Sequence, residues 1–198
     1  MKVPKIALIT CWSILLVLPN LLQAQTTMSN PDALKSVRKF VQDFYSWYVP
    51  KVLKFDDDSP ASGRALKERG YVFSPELFKA LKEDSDAQAR ARELVGLDFD
   101  AFLDTQDPAA RYRLGRIAQK GNTYLVEVFG VYDVRPSDRP DGMPEVIAEV
   151  ARRNGQWVFT NFLYPPVAKH YPDSANLLAI LKGLKEDRRR SEQKHRAE

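Results

Sequence analysis

The feature that most constrains the fold is a change of hydrophobic period near Arg111. Before it, apolar residues recur at steps of three and four, as on one face of an α-helix. After it, apolar and polar residues alternate, as in a strand with one buried face. The order predicts an α+β fold, with N-terminal helices packed on a curved antiparallel sheet of about four strands. We expect a cone-shaped pocket between the first helix and the sheet.

Two helices are predicted before this change. The first can be capped by Asn30 and has Pro31 in its first turn, and the second begins at Ser74, Pro75 and Glu76. Residues 54–63 between them are predicted to be a polar loop. The apolar face of the first helix consists of Leu34, Val37, Val41, Phe44, Tyr45, Tyr48 and Val52.

Turn residues divide the second half into strands. Gly121 and Asn122 mark one turn, and the pair Asn154 and Gly155 is a strong signal for a two-residue hairpin. A loop over residues 135–142 interrupts the alternation. A first strand is predicted to begin at Arg111. Three more are predicted over Thr123 to Val134, Met143 to Arg153 and Trp157 to Tyr164.

Residues 1–24 have the pattern of a secretory signal peptide. Lys2 and Lys5 precede an apolar run from Ile6 to Leu22, and Ala24 is a small residue at the expected cleavage site. The alternative is an uncleaved membrane anchor, which would be the chain's one link to a membrane. We expect an exported, periplasmic protein with a single α+β domain over residues 25–172 and a charged tail, helical or frayed, over residues 173–198.

Composition excludes several classes of function. Cleavage removes Cys11, the chain's single cysteine, so disulfides and thiolate sites are not expected. The net charge of +4 loses the contribution of Lys2 and Lys5 at the same time, and the one basic cluster lies in the tail. Nucleic-acid binding is therefore not expected. Phosphate-loop, dinucleotide-binding and zinc-protease motifs are absent from the sequence, so no cofactor or metal is expected.

Four segments resemble a bacterial exported family known only as domain-of-unknown-function family 3828. They are Phe44 to Tyr48, Ser74 to Leu77, the acidic segment Leu97 to Asp107, and the final hairpin Asn154 to Pro165. The resemblance implies a cystatin-like or nuclear-transport-factor-like α+β fold. It implies no activity and no catalytic residues.

The acidic segment LDFDAFLDTQD is the first candidate for chemistry. It does not fit a calcium-binding EF-hand loop, because Phe102, Leu103 and Ala109 occupy positions that need oxygen, glycine and glutamate. A looser metal site is one alternative. The favoured interpretation is that Phe99, Phe102 and Leu103 fill the core while the aspartates cap turns and face solvent.

Three functions remain open. The main hypothesis is a non-catalytic module that binds a small molecule or a periplasmic protein. An isomerase or hydrolase is the second, and needs a pocket aspartate with a raised pKa. An inhibitor or immunity-type protein is the third, with its contact on the exposed sheet face or the loop over residues 135–142. The predicted ligand-binding residues are Trp47, Tyr48, Asp98, Asp100 and Tyr164.

Overall fold

The computed structural model describes residues 30–54, 61–91, 94–134, 142–165 and 175–197. Its strands form one antiparallel sheet in the order β1-β2-β3-β4-β5, which confirms the α+β prediction. In chain order, the elements are α1 (Pro31–Leu53), α2 (Ala61–Arg69), a 3-10 turn (Gly70–Val72), α3 (Pro75–Arg90), β1 (Arg111–Lys120), β2 (Thr123–Val131), β3 (Val146–Arg153), β4 (Gln156–Tyr164), β5 (Ala175–Asn176) and α4 (Leu177–Ala197).

The predicted signal peptide, residues 1–24, lies outside the described residues. Within the described ranges, every helix is too short or too polar to cross a membrane. Most of the predicted loop over residues 135–142 also lies outside them.

The helix caps explain where α1 and α3 begin. The Asn30 side-chain oxygen accepts a hydrogen bond from the Asp32 amide at 2.9 Å, and the Ser74 hydroxyl accepts one from the Leu77 amide at 3.2 Å. Each satisfies an amide that has no partner within its own helix. α2 is a correction to the predicted polar loop, since the helix already begins at Ala61.

Tight turns set the register of the sheet. Asn154 and Gly155 have φ values of 50° and 81°, as the two central residues of a type I′ hairpin require. The β1–β2 pairing shifts register between Leu114 and Ile117. At this bulge, the Glu127 carboxylate accepts a hydrogen bond from the Arg116 amide at 3.0 Å.

The core lies between the helices and the inner face of the sheet, and it leaves no room for the predicted cone-shaped pocket. The Phe44 ring centroid lies 4.8 Å from that of Phe159 and 5.5 Å from that of Phe102, which in turn lies 5.0 Å from Phe162. Aromatic rings from α1, from the acidic segment and from β4 thus fill the space. The prediction of a pocket there was wrong, whereas the prediction that Phe102 fills the core is confirmed.

The C-terminal tail is a helix that completes this core. Leu177 and Leu181 at its start belong to the core cluster. Further along, the Lys185 ammonium lies 2.5 Å from the Glu83 carboxylate, and the Arg188 guanidinium lies 2.7 Å from that of Asp84. Of the two alternatives for the tail, helical and frayed, the structure shows a helix that extends to Ala197.

Candidate functional site

Asp100, in the acidic segment, accepts hydrogen bonds on both oxygens of its carboxylate. Its Oδ2 accepts a hydrogen bond from the Tyr48 hydroxyl at 2.5 Å, and its Oδ1 accepts one from the Phe102 amide at 2.9 Å. Burial raises the pKa of Asp100 to about 6, although these hydrogen bonds pull it down in part. Asp100 thus caps a turn, as expected for the aspartates of this segment, but the expectation that it faces solvent was wrong.

Three tyrosines anchor the same segment. Besides Tyr48, the Tyr45 hydroxyl donates to the Phe102 carbonyl at 2.9 Å, and the Tyr164 hydroxyl donates to the Ala101 carbonyl at 2.7 Å. Burial raises the pKa of all three phenols well above the ordinary value. Because their hydroxyls satisfy internal acceptors, Tyr48 and Tyr164 stabilise the segment from inside the core.

Trp47, another of the five predicted site residues, is half-buried. The Lys51 ammonium lies 4.9 Å from the centre of its ring, and the Arg69 guanidinium carbon lies 4.5 Å from it. Cations at these distances interact favourably with the indole. The ring therefore has partners from α1 and α2.

A surface groove of about 630 Å³ lies among the end of α1, α2, α3 and the acidic segment. Asp98 and Asp100 both line it, together with apolar side chains such as Leu66, Leu81 and Phe99. Trp47, Tyr48 and Tyr164 are not among its described lining residues. The five predicted residues therefore do not share one cavity.

The two aspartates of the groove differ in chemistry. Asp98 is exposed, whereas Asp100 is half-buried with a raised pKa. Asp100 thus meets the condition of the enzyme hypothesis, since a base is useful when its pKa lies near working pH. Catalysis itself stays a prediction. No three acidic, histidine or cysteine side chains among the described residues lie close enough to hold a metal ion.

The sheet has a second, outer face, which carries apolar side chains away from the core. Phe129 and Val158 are buried, yet neither belongs to the core cluster, which contains residues from all four helices. Leu125, Ile147 and Leu163 share this face by strand alternation and register, and are half-buried. The described helices thus pack on the inner face. The outer face carries these five residues, the apolar row, together with Glu127 and Glu149, which the register places opposite Ile147 and Leu125.

Basic side chains flank this row along the edge strand β1. Arg111, Arg113, Arg116 and Lys120 are all exposed. The Arg113 guanidinium carbon lies 4.3 Å from the centre of the Phe129 ring. None of the residues of this outer face was singled out from the sequence. The signal was present in the alternation of β2, where Leu125 and Phe129 occupy positions opposite to those of the core residues Val126 and Val128.

The chain was then compared with known proteins. No protein-family model matches it, so the resemblance to family 3828 has no support from that comparison. No curated protein matches its sequence. Among solved structures, it is similar to one chain of the crystal structure of the type VI native effector-immunity complex Tae3-Tai3 from Ralstonia pickettii. The TM-score is 0.41 at 18% sequence identity, and the likeness covers 67% of this chain and 93% of that chain. We base no functional argument on a likeness this distant.

Proposed function

We propose that the chain is a protein-binding module, of the kind that inhibitors and immunity proteins represent, and that it docks a partner protein on the outer face of its sheet. The observation that carries the proposal is the apolar row on this face.

The composition of the outer face supports a protein contact. It carries apolar side chains, among them the aromatic ring of Phe129, which is stacked against Arg113 at the edge strand. Aromatic residues and arginines provide most of the binding energy in protein interfaces, and charged residues usually surround the apolar centre. Leu125, Ile147 and Leu163 keep part of their apolar surface exposed on a sheet face that no described helix covers, which is typical of an interaction surface.

The interior of the fold supports a protein partner over a ligand enclosed in the sheet. Aromatic rings fill the space between α1 and the sheet, and the Tyr45, Tyr48 and Tyr164 hydroxyls are bonded within the chain. A ligand there would have to displace core side chains. The outer face needs no such rearrangement.

Site-specific photo-crosslinking in the organism's own cells tests this proposal. A photoreactive amino acid at Ile147 or Leu163 should yield one cross-linked species of defined mass. The matched control is Tyr71, which is 70% exposed and lies in the helical layer. Leu125→Glu should remove the cross-link without unfolding the protein. The proposal is refuted if Tyr71 gives the same species, or if Leu125→Glu leaves the yield unchanged in a folded protein.

A second candidate function is binding of a small molecule in the groove beside Asp100. It is favoured by one observation, the half-buried carboxylate with a pKa near 6 that lines a groove of about 630 Å³. Native mass spectrometry of the protein from its own cells would detect such a ligand. Ser85→Trp, which places an indole into the groove, should abolish the added mass, and a bare protein in both samples would reject this candidate.

We also propose that the protein is exported to the periplasm after cleavage at Ala24. The support is the sequence of residues 1–24, with its basic start and apolar run. Intact mass of the protein recovered from the periplasmic fraction should match a chain that begins at Gln25. A cytoplasmic protein that retains Met1 would refute the proposal.

A further inference from the structure

We infer that the partner docked on the outer face presents an acidic surface, which pairs with the basic residues that flank the apolar row. The inference rests on the function proposed above and adds the chemistry of the partner. It comes from the charges of the face and from the groups that already compensate them.

The positive charges of this face are largely uncompensated within the described part of the chain. Arg111, Arg113, Lys120 and Arg153 are exposed, and none of them forms an ion pair with another described residue. Three of them lie on β1, and Arg153 lies at the end of β3. The hairpin turns place Lys120 and Arg153 at the same end of the sheet.

The negative charges of the same face are already engaged. Arg116 Nε lies 3.3 Å from Glu127 Oε1, while the Arg116 amide donates to the other carboxylate oxygen. Glu149 Oε1 accepts a hydrogen bond from the Thr160 hydroxyl at 2.8 Å. Because Thr160 is neutral, Glu149 keeps its negative charge, and an approaching protein meets four unpaired cations against this one carboxylate over the described residues of the face.

Arg113 is the best placed of these cations to contact a carboxylate. Its guanidinium is stacked over the Phe129 ring at 4.3 Å, which restricts the side chain to few orientations. A stacked guanidinium keeps the N–H groups at its edge free, and they match the two oxygens of a carboxylate. Less conformational entropy is lost when an oriented side chain binds.

A different explanation applies to part of this pattern. Basic residues and bulges on edge strands prevent strands of other chains from pairing with them, and β1 has both. That explanation covers Arg111, Arg113 and Lys120. It does not cover Arg153, because β3 is paired on both sides, nor does it explain the apolar row beside them. The bulge instead favours contact with the face over addition of a strand.

Fluorescence anisotropy tests the inference with a labelled peptide that alternates glutamate and leucine. The full chain should bind this peptide, and binding should weaken as salt is raised, since salt screens exposed charges. The double variant Arg113→Glu, Lys120→Glu should weaken binding roughly tenfold or more. Lys182→Glu, at an exposed lysine of α4, is the control and should have little effect. Thermal unfolding verifies that each variant is folded.

Three outcomes would overturn the inference. They are peptide binding that the double variant leaves unchanged, absence of binding at low salt, and equal or tighter binding to phosphatidylglycerol vesicles or duplex DNA. Position-specific cross-linking at Ile147 that persists in the double variant would reject the acidic partner but leave the proposed function standing. Absence of cross-linking at Ile147 when no other residue is changed would reject the proposed function itself.

Discussion

Replacing Asp100 with asparagine should change how the stability of the protein depends on pH. The folded state raises the pKa of Asp100 from 3.8 to about 6, chiefly by burial. The folded state therefore binds this proton more tightly than the unfolded chain does. The stabilisation that this gives is complete below the unfolded pKa, and it is lost as pH rises through about 6.

The size of the expected change in stability follows from the pKa shift of Asp100. A difference of about two pKa units corresponds to roughly 3 kcal/mol, at about 1.4 kcal/mol per unit. Roughly 2 kcal/mol of this stabilisation is lost between pH 4 and pH 7. The asparagine introduced by Asp100→Asn cannot titrate, yet its side chain can still accept from the Phe102 amide and contact the Tyr48 hydroxyl. The wild type should therefore lose about 2 kcal/mol relative to Asp100→Asn over this interval.

Urea unfolding of both proteins at several pH values measures this difference. Other titrating groups contribute equally to both chains, so subtracting the two curves isolates Asp100. Asp98→Asn is the matched control, because its carboxylate is exposed and only two residues away. Asp98→Asn should still lose stability as pH rises through about 6, because it retains Asp100. If the Asp100→Asn and wild-type curves are parallel from pH 4 to pH 7, our account of the Asp100 environment is wrong.

Three further predictions concern stability and can be measured by denaturant unfolding at neutral pH. Arg188→Ala should lower the free energy of unfolding by about 2–4 kcal/mol, because the Arg188 and Asp84 side chains are only 17% and 8% exposed and Asp84 would stay buried without its cation. Lys185→Ala should lower it by less than about 1 kcal/mol, since Lys185 and Glu83 are 39% and 38% exposed. Equal losses in the two variants would contradict this prediction. Gly155→Ala should cost about 1 kcal/mol of stability, because an alanine is strained at a φ of +81°. Gly183→Ala should add up to about 1 kcal/mol, because a methyl group there meets open space and alanine favours the helix. A gain in stability at both sites would refute the turn assignment. Phe102→Ala should cost about 3–5 kcal/mol by leaving a cavity among the core rings, and a loss below about 1 kcal/mol would show that the acidic segment does not fill the core.

The strands and two of the helices could be predicted from sequence because their signals are local. The Asn154 and Gly155 pair, the alternation after Arg111 and the proline and cap residues of α1 and α3 all depend on neighbours in the chain. α2 could not be predicted in this way, because Ala65 is its one fully buried residue and its apolar pattern is weak. Its contacts with α1 and α3 supply the stability that its own sequence lacks.

The prediction of a pocket between α1 and the sheet failed for a physical reason. The sequence correctly predicted that Phe102 fills the core, and it also predicted a pocket between α1 and the sheet. Both could not be true, since the core and that pocket occupy the same space. Local patterns identify which residues are buried, but the volume of space that they fill depends on residues distant in the chain, such as Phe44 and Phe159.

The candidate site was predictable only in part for the same reason. The sequence placed Asp100 in a segment of turns, but its raised pKa comes chiefly from burial, and Tyr48, whose hydrogen bond lowers that pKa in part, is 52 residues away. The exposed sheet face was predicted as a contact surface, but its residues were not, because alternation shows that a strand has two faces and does not show which one a helix covers. The placement of Phe129 opposite the core became evident from the register with Arg113.

The closure of the core by α4 has a consequence for biosynthesis. A chain that grows from its N-terminus can form α1 and α3 early, but Asp84 meets Arg188 only after 104 more residues have been made. Until Leu177 and Leu181 arrive, the apolar surfaces of α3 and β4 remain open to water and to other chains. An incomplete chain therefore exposes apolar surface of the kind that makes folding intermediates prone to aggregate.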